Sequence, residues 1–262
     1  MSPDCDADGT MKKGGALARG LGVLRTVAAA GGALTTGEIA ARTGLPKPTV
    51  SRLAATLCEL GYLRAAADGS GFFLTTATLG LGYGVLARAG IVEIARPFME
   101  ELAASGEVAV AISVRSGLAM MYVELVRRPE AIVLSLQTGS RVPLHLTASG
   151  RAWLAAAGAR ERESAMSALR DAHGADWPAM RARLDAAIAR AERSGYAASL
   201  GDWRPEHHAI GAALAHPATG DLYTLSLGGL ASVLPPARIE QDMAPRLLAA
   251  AAAIRAALTL RR

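Results

Sequence analysis

The sequence predicts an α+β protein with a small N-terminal domain, a connecting helix and a larger C-terminal domain around a central antiparallel sheet. Two short helical patterns around a tight turn lie at 36–60, and a hairpin pattern follows at 62–75. After residue 90 the pattern changes to short strands with helices on either side. The chain has 262 residues, of which 51% are hydrophobic, so both domains can bury cores.

The N-terminal domain is predicted to span residues 16–75. It follows a tail, 1–15, that is acidic and then rich in Gly and Lys, and that we expect to be mobile. The first helix is expected at Leu17–Ala30 and is followed by Gly31-Gly32. Its apolar stripe at helical spacing consists of Leu17, Leu21, Leu24, Val27 and Ala28.

The stretch 36–60 predicts two short helices joined by a tight turn. Thr36 is expected to cap the first helix. Gly44 is expected to end it, because glycine readily takes the left-handed conformation found at many helix ends. Pro48 falls in the first turn of the second helix, where its missing N–H costs no helical hydrogen bond.

The second of these helices is predicted to have two different faces. The core face is expected to contain Val50, Leu53, Ala54, Leu57 and Leu60, and the opposite face Thr49, Ser51, Arg52, Ala55 and Thr56. Because the opposite face is small and polar, it can approach a surface closely, and Arg52 can contact a guanine edge or a phosphate. This layout is that of a helix-turn-helix, and the alternative is an ordinary helical hairpin within a core.

Positive charge is concentrated in the same part of the chain. The formal net charge is +5, and residues 11–67 contain eight basic and two acidic residues. A basic surface favours nucleic acid as a partner. We therefore predict contacts to double-stranded DNA from Thr36, Lys47, Thr49, Ser51, Arg52, Thr56 and Arg64.

A β-hairpin is predicted after the helices, with strands at Tyr62–Arg64 and Phe72–Thr75, which gives the winged form of the helix-turn-helix. The hairpin can contact DNA, and it can cover the helical core with Phe72 or Phe73. Residues 76–90 predict a connecting helix whose apolar surface either forms a dimer seam or packs on the N-terminal domain.

Residues 91–262 predict a domain of mixed strands and helices. Helices are expected at Ile91–Ala104, with a stripe of Ile94, Phe98 and Leu102, and at Thr147–Ala157, Arg160–His173, Pro178–Ser194 and Ala237–Leu260, the last kinked or broken at Pro245. Strands are expected at Val108–Arg115, Met120–Val126, Ile132–Gln137, Tyr196–Leu200, Ala209–His216 and Leu222–Leu227.

Cysteine content and the chain ends predict a protein of the reducing cytoplasm. Cys5 and Cys58 have neither the number nor the spacing of a disulfide framework or a metal site. The acidic start has no apolar segment, which predicts no signal peptide. The Ala-rich run Leu247–Leu258 is too short to span a membrane. We predict no metal, no cofactor and no membrane partner.

Over Leu17–Leu260 the chain resembles the IclR family of bacterial transcriptional regulators. The segments that carry the resemblance are RGLGVLRTVAA, TTGEIAARTGLPKPTVSRLAATLCELGYL, LTTATLGLG, IVEIARPFMEELA, TGSRVPLHLTASGRAWLAA, RSGYAASLGDW and LSLGGLASVLPPARIEQDMAPRLL. The resemblance implies a GAF-like or profilin-like effector-binding domain. It also implies a homodimer or dimer of dimers on a palindromic operator, which acts as a repressor or an activator in response to a small organic molecule.

The resemblance further implies an effector pocket, formed by Thr147, Ala148, Ser149, Gly150, Ser199, Asp202, Ala209 and Ser226. Members that bind small oxoacids tend to have cysteine, an acidic pair and serine where this chain has Ala209, Ser199-Leu200 and Gly228. Because of these departures, we expect Trp203 and His207, with His208, to form a larger and flatter pocket for an aromatic or acyl ligand.

Two other classes of function stay open at this point. One is a DNA-binding protein whose second domain only oligomerises, and the other is a hydrolase. Against the hydrolase, Ser149 lies in ASGRA, which lacks the first glycine of the G-x-S-x-G motif. Against a metal site, His207 and His208 are adjacent on a predicted strand, so their side chains point to opposite faces.

Overall fold

The computed structural model describes residues 15–82, 90–129, 134 and 136–260. The chain divides into two units, residues 1–88 and 89–262. Of the predicted tail, only Gly15 lies within the described residues. Of the predicted connecting helix, residues 77–82 are helical and 83–89 lie outside the described residues, so the full connector stays a prediction.

The first unit consists of three helices and a two-stranded hairpin. The helices are α1 (Ala16–Ala30), α2 (Thr36–Thr43) and α3 (Lys47–Glu59), and the strands are β1 (Leu63–Ala65) and β2 (Phe72–Leu74).

The stripe predicted for α1 is wrong at three of its five positions. Leu17 and Leu21 are 77% and 49% exposed, and Ala28 is also exposed. The buried positions are instead Gly20, Gly22, Val23 and Val27. The small glycines allow α1 to pack closely, and Leu53 of α3 lies against Gly20.

The cap of α2 is Thr35 and not Thr36, which is the first helical residue. The Thr35 hydroxyl oxygen accepts the Glu38 N–H at 3.2 Å, while the Glu38 carboxylate accepts the Thr35 N–H at 2.8 Å. This reciprocal capping box needs a Glu three residues after the cap. Thr35 has Glu38 at that position, whereas Thr36 has Ile39. The hydrogen bonds from Thr35 hold the pKa of Glu38 below its ordinary value.

The ends of α2 and α3 follow the predicted pattern, with one exception. Gly44 ends α2 in the left-handed conformation, with φ of +66°. After α3, the Gly61 N–H donates to Cys58 O and the Tyr62 N–H donates to Leu57 O, which is the Schellman pattern. Leu60 was expected in the core but is 62% exposed, because the helix has ended at Glu59.

The hairpin is fixed to the helical core by backbone contacts. Leu34 and Phe72 exchange two backbone hydrogen bonds, of 3.0 and 2.8 Å. Gly71 permits this approach: its φ is +130°, and a Cβ at this position would lie 2.3 Å from the Leu34 carbonyl. Phe72 packs on the helical core, as the covering role predicted.

The second unit is built on an antiparallel sheet. Its helices are α4 (Ile91–Ala104), α5 (Ala148–Ala156), α6 (Ala159–His173), α7 (Trp177–Ser194) and α8 (Ala244–Leu260). Its strands are β3 (Ala109–Ser116), β4 (Ala119–Arg127), β5 (Arg141–Pro143), β6 (Ala197–Leu200), β7 (His207–Ala215) and β8 (Leu222–Leu230). Within the described ranges the strand order is β5-β4-β3-β8-β7-β6, and every pair is antiparallel, which confirms the predicted sheet.

Two predictions for this unit need correction. No strand forms at the described residues of Ile132–Gln137, and the strand next to β4 is instead β5, a three-residue edge strand too short to show alternation. In α4 the buried stripe starts from Ile91 and continues through Ala95 and Met99, so Ile94 and Phe98 are only half-buried.

The C-terminal helical stretch packs within the second unit. Pro236–Leu260 is long and apolar enough to span a membrane by length and composition alone. In the fold it contacts α4, β7 and β8, and it buries Leu247, Ile254 and Leu258. A π-helical segment at Ile239–Met243 ends just before Pro245. Proline has no N–H, and its ring clashes with the carbonyl of the preceding turn, so a regular α-helical turn before Pro245 is disfavoured.

Replacing Thr35 by Ala should lower the free energy of unfolding of the first unit by about 1 kcal/mol, because the cap of α2 is lost. The matched control, Thr36→Ala, should cost less, since Thr36 has no capping role. Chemical denaturation followed by circular dichroism measures both. Equal losses in the two variants would contradict the assignment of the cap.

Candidate nucleic-acid interface and ligand pocket

The outer face of α3 is available to a partner. Ser51, Arg52, Ala55 and Thr56 are exposed, whereas Val50 on the inner side is fully buried. The Thr56 hydroxyl donates to Arg52 O at 3.1 Å, so it follows the helix surface and does not project. Apart from Arg52, the exposed face therefore has only short side chains, and a helix with such a face can enter a groove of a DNA duplex.

Basic side chains surround this face. Arg42, at the end of α2, and Lys47, at the start of α3, are exposed. On the hairpin, the Arg64 guanidinium lies over the Phe73 ring, 4.7 Å from its centroid. In the described part of the first unit, Arg42, Lys47, Arg52 and Arg64 form no ion pair, so their charge is available to phosphates.

Thr36 and Thr49 are half-buried, at the starts of α2 and α3. Their predicted contacts to DNA stay predictions, as do those of the exposed residues.

The second unit contains a pocket whose floor is made of small residues on four neighbouring strands. One row across the sheet is Ser199, Ala209, Gly228 and Ala109, and the next row is Gly211, Ser226 and Ala111. Large side chains at these positions would fill the space above the sheet. Because they are small, the sheet leaves a cavity between itself and α5.

The N-terminus of α5 forms the roof of this pocket. A Cβ on Gly211 would lie 3.1 Å from Ala148 O, and a Cβ on Gly150 would lie 1.9 Å from Leu144 O. Glycine at both positions therefore lets the start of α5 lie directly on the sheet and on the preceding segment. Thr147 caps the helix by accepting the Gly150 N–H at 3.3 Å. The positive end of the helix dipole thus faces the pocket.

The side walls come from β4, the segment before β5 and the loop after β6. Tyr122 and Leu125 both line the pocket, although residues three apart on a regular strand face opposite sides. A register shift opposite Ile112 and Ser113 leaves Val123 unpaired, and this bulge brings both side chains to the same side. Leu134, Leu136 and Trp203 complete these walls.

Polar groups line part of the pocket, and none of the described residues in its lining has a charged side chain. Its polar groups are Ser149, Ser199, Ser226, Thr147, Tyr122, Trp203 and His207. Burial raises the pKa of Tyr122 to about 12. Burial, and secondarily the charge of His208, lowers the pKa of His207 to about 4, so the imidazole is neutral at pH 7. A pocket of this kind offers hydrogen bonds and a helix N-terminus without a fixed charge.

The His207 imidazole lies directly against Gly228. A Cβ on Gly228 would lie 2.7 Å from the Cε1 atom of His207. The imidazole therefore fills the volume that a side chain at 228 would take. This explains physically why the chain combines glycine at this position with histidine on the neighbouring strand.

The structure brings together eight of the eleven residues expected at the effector pocket and leaves out three. The eight that line the pocket are Thr147, Ala148, Ser149, Ser199, Trp203, His207, Ala209 and Ser226. Gly150 does not line it but makes the close packing of α5 possible. Asp202 pairs with Arg151 at 2.8 Å, and the His208 ring bonds to Leu234 O, so neither lines it. The role of all eleven in binding an effector stays a prediction.

Several lining residues were missed by the sequence analysis, namely Ala109, Ala111, Tyr122, Leu125, Leu134, Leu136 and Leu227. Alternating small residues in β3 and β8 were the available signal for the floor. No local signal identified Tyr122, because its orientation depends on the bulge.

The geometry does not support a hydrolytic triad. The Asp202 carboxylate is held by Arg151, and the Ser149 hydroxyl lies 3.2 Å from the Thr147 hydroxyl. His208 points away from His207 and its ring bonds to Leu234 O at 2.8 Å. Among the residues that the structure describes, no group of three His, Cys, Asp or Glu side chains could hold a metal.

Replacing Gly228 by Ala should displace the His207 ring and return its pKa from about 4 toward its ordinary value, about 6.5. Titration of the imidazole signals by NMR measures this, with His207→Gln to assign the signal. His208 faces the other way and serves as the internal control. An unchanged pKa of His207 in the variant would contradict the packing described here.

The chain is similar to known transcriptional regulators over most of its length. Residues 16–66 match the model of the IclR helix-turn-helix domain, and 83–256 match that of the bacterial transcriptional regulator IclR C-terminal domain. The HTH-type transcriptional regulator TsaQ1/TsaQ2 of Comamonas testosteroni is 31% identical over 233 residues, which are 88% of this chain and 84% of that protein.

Solved structures agree with this similarity. An IclR family transcriptional regulator from Brucella abortus is 36% identical, with a TM-score of 0.81 over 98% of this chain and 96% of that chain. An IclR homolog from Microbacterium hydrocarbonoxydans, complexed with 4-hydroxybenzoate, shares the fold at 24% identity, with a TM-score of 0.76 over 94% of this chain and 100% of that chain. The chain therefore belongs to the IclR family, and it is a helix-turn-helix transcriptional regulator with a C-terminal effector-binding domain.

Proposed function

We propose that this regulator binds a palindromic operator as a homodimer or a dimer of dimers, and that a small organic monocarboxylate in the pocket controls this binding. The exposed face of α3, with exposed basic side chains around it, carries the DNA part of the proposal. Two copies of α3, one from each protomer, would enter successive major grooves. The site of action would be the cytoplasm, where the DNA and a reducing environment are found.

The chemistry of the pocket supports a monoanion with an aromatic or acyl body. The start of α5 attracts a carboxylate, because the first N–H groups of a helix have no helical partner and the dipole is positive there. The apolar walls, together with the Trp203 and Tyr122 rings, suit a flat body. A dianion or a cation would find no opposite charge among the lining residues that the structure describes.

The pocket in this conformation is small. Its free volume is about 40 Å³, enough for two or three waters, whereas a cavity of about 150 Å³ binds benzene. An effector with one ring therefore requires the walls to move apart. Binding then favours the opened arrangement of the walls, and this gives the effector a means to change DNA affinity.

Replacing Arg52 by Ala should weaken operator binding by about 1–3 kcal/mol, roughly tenfold to a hundredfold, because a bidentate base or phosphate contact is lost. Fluorescence anisotropy with duplexes from the DNA beside the gene, at two salt concentrations, measures this. Arg160→Ala removes the same charge from an exposed position in the second unit and is the matched control. Equal affinity losses in the two variants would contradict the assignment of the α3 face.

Comparison of an acid with its neutral amide tests whether the pocket recognises the charge of a carboxylate or only the shape of the ligand. 4-Hydroxybenzoate should raise the melting temperature of the full chain and change its operator affinity, whereas the neutral 4-hydroxybenzamide should do neither. The physical reason is that the two molecules differ mainly in the charge that faces the start of α5. Equal effects of acid and amide would contradict an anion site, and no effect of any monocarboxylate would contradict the effector class.

A further inference from the structure

The loop after β6 carries one wall of the pocket. It spans residues 201–206, and Trp203 lies on it, half-buried and edge-on to His207 with ring centroids 6.2 Å apart. The Arg204 guanidinium lies 5.1 Å from the centroid of the Trp203 ring. Trp203 therefore lines the pocket beside the His207 imidazole, and its position shapes this wall.

Backbone hydrogen bonds hold the ends of this loop. The Gly201 N–H donates to His207 O at 3.2 Å, the His207 N–H donates to Arg204 O at 2.9 Å, and the Ala231 N–H donates to Glu206 O at 2.8 Å. Two side chains tie the loop to the helical layer: Trp203 packs on the hydrophobic core, and Asp202 forms the polar contact. The Asp202 Oδ2 atom accepts from Arg151 at 2.8 Å and from the Leu200 N–H at 3.2 Å.

Arg151 is a buried residue on the helix that forms the roof of the pocket. It is 7% exposed and lies one turn after the Thr147 cap. Its guanidinium also donates to Ala198 O at 2.8 Å and to His145 O at 3.1 Å. One side chain thus joins α5, the segment before it, β6 and the loop with Trp203.

The charges of this pair favour a fixed geometry. A buried guanidinium needs a partner, and Asp202 is its carboxylate partner. Burial alone would raise the pKa of Asp202. The hydrogen bond and the charge of Arg151 lower this pKa and outweigh the effect of burial, so the pKa lies below its ordinary value. The carboxylate is therefore charged at neutral pH and holds the loop by a charge-assisted hydrogen bond.

We propose that Arg151 and Asp202 are a positioning pair for the pocket: they fix loop 201–206 so that Trp203 covers His207, and neither touches the effector. The inference rests on the proposed function only in taking this cavity as the effector pocket. It reassigns Asp202 from a ligand contact to a residue that sets the shape of the site. Loss of the pair opens this wall of the pocket.

The test uses Asp202→Asn and Asp202→Ala in the full chain, because both leave the bonds of Arg151 to the backbone intact. The protein is labelled with 5-fluorotryptophan, and the ¹⁹F signal of Trp203 is assigned with Trp203→Phe. In both variants this signal should move toward that of free tryptophan, while the Trp153 signal stays unchanged. The pKa of His207 should rise from about 4 toward about 6.5.

The matched control is Glu206→Ala, which removes an exposed carboxylate from the same loop. It should leave the Trp203 signal in place, and it should not raise the pKa of His207, because the charge of Glu206 itself raises that pKa. Wild-type signals for Trp203 and His207 in both Asp202 variants would overturn the proposal. These readouts need no effector, so failure of the wild type to bind 4-hydroxybenzoate would count against the proposed effector class alone.

Discussion

The close approach of α5 to the sheet is the constraint on which the second unit depends. The start of the helix can lie on β7 only because Gly211 has no side chain, and it can lie against Leu144 only because Gly150 has none. This approach brings a helix N-terminus over a floor of small residues. The cavity, and the helix N-terminus that faces it, follow from that single piece of packing.

In the first unit, too, a glycine allows two segments of backbone to approach closely. Gly71 lets the hairpin bond to Leu34, and this contact directly precedes the Thr35 cap of α2. The hairpin, the cap and the start of the helix-turn-helix are therefore fixed together. Consequently the backbone of α3 is held by packing, so the proposed contact of Arg52 with DNA would require ordering of that side chain but not of the helix.

Local patterns predicted the elements of both units well, and contacts between distant residues explain what they missed. The faces of α3 follow from helical periodicity, and Gly44 and Pro48 mark ends that local sterics enforce. The cap was placed at Thr36 because two threonines are adjacent, and only the partner at Glu38 distinguishes them. For the pocket, the resemblance to the IclR family predicted the residues at the start of α5 and on the strands. It could not predict that Asp202 pairs with Arg151, because the two residues are 51 positions apart in the sequence.

The small volume of the pocket also bears on how the regulator would respond. An effector shifts an equilibrium only by its differential affinity for two arrangements. A cavity of about 40 Å³ is smaller than a ring-sized molecule, so under the proposed function such an effector would favour a different arrangement of the walls. The sheet floor cannot move without breaking its hydrogen-bonded ladders. Loop 201–206 is held by the backbone bonds at its ends, by the packing of Trp203 on the core and by the contact of Asp202 with Arg151. On the proposed mechanism, the free energy that couples effector to DNA would include the cost of moving this wall, and the Arg151–Asp202 contact would contribute to that cost.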